Sequence, residues 1–365
     1  LERKKEATKA KIRKIFSNKY SVYLFLILLF AFLVRLYFFS ITKNQALWWD
    51  EAEYALKAKS IFLNTPETGW APEREVVVPI IWGIIYFFTG SEFWIRLLQI
   101  FVSLVVVGLT YILGKELYDY KVGLAASFIM AVNSIVLFFT TRLLTYLWAP
   151  SFFLLTFLLF WKGYVKKEGK IYLYFAPVAA AIGISVYGSL SFGVGAILLF
   201  MLITEQHKLL LKKEAWVMAL IGLIALIPQF IYNYLTYGNI FARWTAFQAT
   251  KQLQGDFSYF FGYYKIFPHL FGNIYTILII LGALSILGIL LISLDHLIKG
   301  KVLQLKANLL ILLWPIAVIS FYTYSAVYFG GVIYDAFLLS AVPALAIIGA
   351  KGAGLLYNLQ AKKKY

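Results

Sequence analysis

An all-α polytopic membrane protein of about ten transmembrane helices is the fold class this sequence predicts, and three observations predict it. Of the 365 residues, 62% are hydrophobic and 19% aromatic, more than a water-soluble domain of this length needs for its core. Apolar runs of about 18 residues or more recur from end to end, each long enough to cross a bilayer core of about 30 Å. In lipid such runs must be helical, because the backbone has to satisfy its own polar groups within the segment.

The spans fall near residues 21–41, 93–114, 122–139, 147–161, 172–187, 190–204, 215–235, 275–294, 308–327 and 335–350. The first, Tyr20 to Ile41, is too long for a cleaved signal segment and no small-residue cleavage site follows it, so it reads as a retained helix. Three units result: a basic tail over 1–20, a membrane domain over 21–350 and a second basic tail over 351–365.

Charge fixes the orientation. The N-terminal tail, Lys115–Lys121, Lys162–Lys170, Glu205–Glu214, Asp295–Lys306 and the tail from Lys351 together hold 24 of the 34 Lys and Arg but 8 of the 17 acids. The positive-inside rule makes these segments cytoplasmic, with both termini inside and the chain resident in the plasma membrane. The net charge of +17 is therefore a topology signal and not a nucleic-acid footprint, since the basic residues lie between spans with no nucleic-acid-reading module around them. There is no Cys, which excludes disulfides, thiolate nucleophiles and Cys-bound metals. His207, His269 and His296 are far apart and none pair at metal-ligand spacing.

Two outer segments are long, residues 42–92 and 236–273, and long loops among tight spans carry function. In the first, Glu51 to Phe62 reads as an amphipathic juxtamembrane helix with Lys57 and Lys59 toward water. Pro79 to Phe88 is apolar but too short to span, so it is expected along the interface, amid Trp48, Trp49, Trp70, Trp82 and Trp94. Seven of the nine outer acids fall here: Asp50, Glu51, Glu53, Glu67, Glu73, Glu75 and Glu92. A carboxylate held against aromatic rings at a membrane surface is partly desolvated, which suits a general base or a metal ligand. The same acids also suit a solvated helix N-terminus. The Tyr- and Phe-rich stretch of the second segment (Tyr259, Phe260, Phe261, Tyr263, Tyr264) fits either sugar stacking or burial.

The run Leu47-Trp48-Trp49-Asp50-Glu51-Ala52-Glu53-Tyr54-Ala55 resembles the signature of GT-C glycosyltransferases, in the branch of protein O-mannosyltransferases and the lipid A aminoarabinose transferase. Arg35-Leu36-Tyr37, Gly90-Ser91-Glu92-Phe93-Trp94-Ile95-Arg96-Leu97 and Tyr111 to Tyr118 are similar to the same family. Tyr237-Gly238-Asn239 and Phe337 to Leu345 are weaker echoes. The similarity is good over the first 160 residues and loose beyond.

The resemblance implies a sugar on a polyprenyl phosphate (such as dolichyl phosphate) as donor, inversion at the anomeric carbon, and a protein, lipid or glycan hydroxyl as acceptor. It casts Asp50 as the base and Glu51 as its partner. The departing lipid phosphate needs cationic or hydrogen-bonding partners, for which Arg35, Arg96, Arg142, Arg243, Lys251, Lys265 and His269 are candidates. Arg142 lies near the family's second active-site loop, with Tyr146 in the same run.

Two departures stand out. No carboxylate follows Arg142 in Arg142-Leu143-Leu144-Thr145-Tyr146-Leu147, so a second acid would come from Glu73 or Glu75. Ile333-Tyr334-Asp335 stands where many relatives place a basic residue beside the tyrosine, leaving Tyr334 and Asp335 as substrate-binding candidates or Asp335 as a helix cap. With few outer acids beyond the first loop to build a cage, no cofactor is expected to be required, and a divalent metal is an alternative that is not favoured. Two other readings compete with an enzyme. A transporter or lipid flippase would carry ionisable residues at mid-membrane, whereas the span centres here are almost free of charge and the carboxylates gather in a loop. A catalytically silent scaffold of the same fold in glycan assembly is the other.

Overall fold

The computed structural model describes residues 19–66, 70–72, 74–249, 256–298, 302–329 and 333–362. Among these all regular structure is helical. Ten helical stretches stand where the ten spans are expected, and seven of them are long and apolar enough by length and composition to cross a membrane. The chain is a multi-span membrane protein.

Helix α1 (Lys19–Thr42) is followed by α2 (Trp49–Leu63) and α3 (Val77–Thr89), both within the acidic loop. Helix α2 begins where the amphipathic pattern starts, and α3 is the short apolar segment. The two pack tightly because Gly83 presents no side chain: a Cβ there would lie 2.6 Å from the Ala58 carbonyl oxygen. Lys57 and Lys59 do not simply face water. Their ammonium groups lie 5.5 Å from the Trp70 ring centre and 4.7 Å from that of Tyr86, because the aromatic residues around α3 cover that side of α2.

Gly90, at φ 63°, ends α3, a left-handed turn that glycine adopts without steric cost. Ser91 then caps α4 (Glu92–Leu117), its hydroxyl accepting from the Phe93 amide. Asp119 caps α5 (Tyr120–Val132) in the same way. The span expected over 122–139 is broken. Asn133 adopts an extended ψ of 124° and its side-chain oxygen accepts from the Val136 amide, starting α6 (Ser134–Phe139). The carbonyls freed by the break find Arg35, which donates to Ala131 O at 3.1 Å and Met130 O at 3.4 Å.

Residues 140–144 form an irregular, fully buried turn, continued by a 3-10 turn (Thr145–Leu147) into α7 (Trp148–Phe160). Helices α8 (Lys170–Val186), α9 (Leu190–Glu205) and α10 (Lys213–Tyr237) follow. The second long loop holds α11 (Ala242–Ala249) and two short turns, Gly262–Lys265 and Phe267–Phe271. Then come α12 (Asn273–Ile292), α13 (Leu303–Phe329) and, after a 3-10 turn over Asp335–Ser340, α14 (Val342–Lys362).

The last helix therefore starts later than the apolar pattern suggests and continues through Lys351. That lysine's ammonium lies 4.1 Å from the Tyr118 ring centre. The core runs along the bundle axis, with Phe153 and Phe157 of α7 stacked on Trp314 of α13.

Candidate active site at the acidic end of the bundle

Glu51 is the most deeply anchored of the loop acids. Trp48 is extended and α2 begins beside it, so the Glu51 carboxylate turns back and accepts from the Trp48 amide at 2.8 Å. Its other oxygen accepts from the Leu143 amide at 2.8 Å, and Arg142 stands 3.3 Å away. Glu51 is wholly buried, and three donors offset what that burial costs. The Arg142 guanidinium also lies 3.8 Å from the Trp48 ring centre. Glu51 and Arg142 thus tie the acidic loop to the turn at 140–144, and neither is left open.

Asp50 behaves differently. Its side chain keeps 45% of its exposure, against 25% for Glu53, 7% for Glu75 and none for Glu51. It contacts Arg74 at 3.0 Å, and Glu53 contacts the same guanidinium at 2.6 Å. Burial works against the charge of Arg74, but Asp50 and Glu53 outweigh it and its pKa is raised. Arg74 is a site residue that sequence reasoning missed. The available signal was a lone arginine within a run of acids.

Glu75 joins the two long loops. It pairs with Arg243 of α11, accepts from the Gly188 amide at 3.1 Å, and stands 3.4 Å from the Tyr54 hydroxyl. Arg243 also donates to the Ile184 carbonyl at 2.9 Å. Burial first, and Glu75 second, push the Tyr54 hydroxyl well above the ordinary tyrosine range, so Tyr54 stays neutral and can donate.

Beside the acids stands an aromatic wall. Tyr146 meets Tyr187 edge-on at 5.7 Å and Tyr334 at 6.2 Å, and Tyr334 meets Phe337 at 5.6 Å. Phe337 stacks on Tyr322 at 4.8 Å. Burial raises the pKa of Tyr334, and the charges of Asp335 and Asp50 raise it further against the opposing pull of Arg142. These residues therefore share one electrostatic neighbourhood. Tyr187 and Tyr322 carry no motif and were not legible beforehand.

The remaining candidates make other contacts. Arg35 is buried and donates to Ser103 Oγ and to the Ala31, Ala131 and Met130 carbonyls. Arg96 is buried and donates to Thr141 O at 2.7 Å and Gln45 O at 3.0 Å. Both guanidinium groups are engaged within the bundle. Lys265 and His269 are exposed in the second loop. Of the aromatic residues there, Tyr263 is buried and Phe260, Phe261 and Tyr264 are exposed. Asp335 is exposed, and its carboxylate accepts from the Ala336 amide, opening the 3-10 turn and not the last helix. Glu73 and Lys251 lie outside the described residues. Among the described residues no group of three or more His, Asp or Glu is set to hold a metal ion.

The fold has counterparts. Residues 76–232 match the family described as dolichyl-phosphate-mannose-protein mannosyltransferase. The structure of ArnT from Cupriavidus metallidurans bound to undecaprenyl phosphate superposes with a TM-score of 0.69 at 12% identity, over 92% of this chain and 60% of that one. The Archaeoglobus fulgidus oligosaccharyltransferase AglB, in complex with an inhibitory peptide and a dolichol-phosphate, gives 0.58 at 14% identity, over 93% and 51%. The same enzyme with Zn and sulfate gives 0.58 at 13% identity, over 92% and 49%. No curated protein matches the chain in sequence. The chain has the GT-C fold. Residues 76–232 resemble the mannosyltransferase family, the ArnT structure shares the fold, and the chain spans about three fifths of the length of that structure.

Proposed function

We propose that this protein is a membrane glycosyltransferase that moves a sugar from a polyprenyl-phosphate donor to an acceptor hydroxyl, with inversion, on the side of the membrane away from the cytoplasm. One observation carries the reading: of the first loop's described carboxylates, Asp50 combines the greatest side-chain exposure among Asp50, Glu51, Glu53 and Glu75 with a charge that acts on Tyr334 of the aromatic wall. Glu51 and Glu75 are consumed in holding the loops. Asp50 then accepts the acceptor's proton as its oxygen attacks the anomeric carbon, and the lipid phosphate leaves with the electrons of the broken bond. Arg74, 3.0 Å from Asp50, holds that carboxylate in place. Tyr146 and Tyr334 offer ring faces and hydroxyls to a sugar.

The donor set also supports a reaction without a resident metal. Asp50 and Glu53 face Arg74, Glu51 faces Arg142 and Glu75 faces Arg243. A cation would have to compete with an arginine at each of these four acids. The test is transfer in proteoliposomes from radiolabelled polyprenyl-phosphate sugars, beginning with dolichyl-phosphate-mannose. We expect Asp50→Asn to lower kcat by about 10²- to 10⁴-fold, the range for loss of a general base, and activity to survive a chelator. Retained transfer in the variant would remove Asp50 as the base. Loss on chelation would remove the metal-free scheme.

A further inference from the structure

A buried stretch of irregular backbone must have its polar groups satisfied by protein, and residues 140–144 show how this is done. Thr141 O accepts from Arg96, Arg142 O and Leu144 O accept from Gln99, and Leu143 N donates to Glu51. Four consecutive residues are each held by a side chain from another element. Three of the four bonds to this turn that come from α4 are made by Arg96 and Gln99, at spacing i and i+3. Ser103, one turn further on, takes bonds from Arg35 and from Thr140. Arg96, Gln99 and Ser103 thus form a polar stripe on one face of an otherwise apolar helix.

Gln99 is the centre of that stripe. It is wholly buried. Its amide nitrogen donates to Arg142 O at 2.7 Å and Leu144 O at 2.8 Å, while its oxygen accepts from the Trp148 indole at 2.7 Å. The orientation is fixed by chemistry: two carbonyls can only accept and an indole N–H can only donate, so a flipped amide would oppose all three. The turn it holds presents Arg142 to Glu51 and Trp48 on one side, and leads within two residues to Tyr146 on the other.

We infer that Gln99 is a positioning residue, which sets the turn at 140–144 so that the Glu51–Arg142 clamp and Tyr146 stand in register beside Asp50. The inference rests on the transferase reading for its consequence in rate, but not for its consequence in structure. Two variants separate the roles. Gln99→Leu removes both donors and the acceptor at similar volume. Gln99→Glu keeps the shape but turns a donor into a group that can donate only while protonated. Burial favours that neutral form, so at low pH it restores one bond and at high pH it opposes two carbonyls.

The experiment uses the full chain in nanodiscs. Backbone hydrogen exchange should rise about tenfold or more over residues 140–146 in Gln99→Leu, as expected for loss of local hydrogen bonds, with the rest of the bundle unchanged. Transfer from radiolabelled dolichyl-phosphate-mannose should fall mainly in kcat, with donor KM within about threefold, as for a lost alignment. The Gln99→Glu to wild-type ratio should decline as pH rises, while the Gln99→Leu ratio stays flat. Unchanged exchange over 140–146, or a pH-independent Gln99→Glu ratio, would overturn the inference. Should Gln99→Leu fail to fold, the exchange measurement is made on Gln99→Glu at two pH values. If wild type moves no sugar, the transferase reading falls, and the exchange arm still decides the strut.

Discussion

The two ends of this bundle both carry ion pairs, but they are built differently. At the acidic end the buried carboxylates pair with arginines, while a lysine pair there, Lys59 with Glu92 at 3.8 Å, is about one-third exposed on both sides. Arg142 pairs with Glu51 at 6% and 0% side-chain exposure, and Arg243 with Glu75 at 24% and 7%. At the other end the cations are lysines. Lys162 and Lys166 share Glu116 and Glu168, and Lys212 meets Glu205. A guanidinium offers a rigid, planar fork of donors, whereas an ammonium is a hydrated point charge on a flexible stem. The first kind of pair fixes loops in one geometry. The second satisfies charges whose placement is set by topology. Asp50 belongs to the first end but is more exposed than Glu51, Glu53 and Glu75, which is why it, and not Glu51, is the candidate base.

The contrast is broken most directly by parallel neutralisation. Asp50→Asn should remove nearly all transfer, whereas Glu116→Gln should leave kcat within about twofold, since a pair among lysines holds no reacting group. Equal losses at both ends would mean the chemistry is not confined to the acidic loop. Next in size is Glu51→Leu, which strands Arg142 in a buried site. A cost of about 3–5 kcal/mol is expected for removing one partner of a buried pair, read as a lowered thermal midpoint in detergent. A change under about 1 kcal/mol would show that water replaces Glu51 readily.

Sharper still is the cycle formed by Glu75→Gln, Arg243→Gln and the double variant. The two residues touch across the two long loops, so a coupling energy of about 1–3 kcal/mol is expected. Simple additivity would mean the loops dock without this pair. The smallest effect is at the lysine-rich end. Lys166→Ala should cost about 1 kcal/mol at most, and less as salt rises. Glu168 there is held below the usual carboxylate range by its hydrogen bond from Lys162. A depressed folded-state pKa adds stability at neutral pH that is lost as pH falls through it. The difference between wild type and Glu168→Gln should therefore close in acid, by thermal melts at graded pH.

Much of this was legible in the residues. The positions of ten helical stretches follow from apolar length, because a bilayer demands a fixed one. The acidic loop, its two short helices and Asp50 at the start of α2 follow from local pattern. The break at Asn133 was not legible, since nothing in residues 122–139 shows that Arg35 and the Asn133 side chain will satisfy the interrupted helix. Nor were the roles of the arginines. Arg35, Arg96 and Arg142 look alike in the sequence as cations near span ends, and only packing shows that the first two bind backbone carbonyls and the third a buried carboxylate.

The sequence by itself determined that this chain crosses a membrane many times, which segments lie between the spans, and where its carboxylates concentrate. These are properties of composition along one dimension, read against a solvent of fixed thickness. Tertiary structure alone decided which carboxylate stays open and which become structural. It also decided that a tyrosine from each of three distant segments (Tyr146, Tyr187 and Tyr334) stands in one wall, and that a glutamine on α4 holds the turn between them and the acidic loop. The physical reason is that burial and hydrogen-bond partnership belong to neighbours in space, and those neighbours come from segments far apart in the chain.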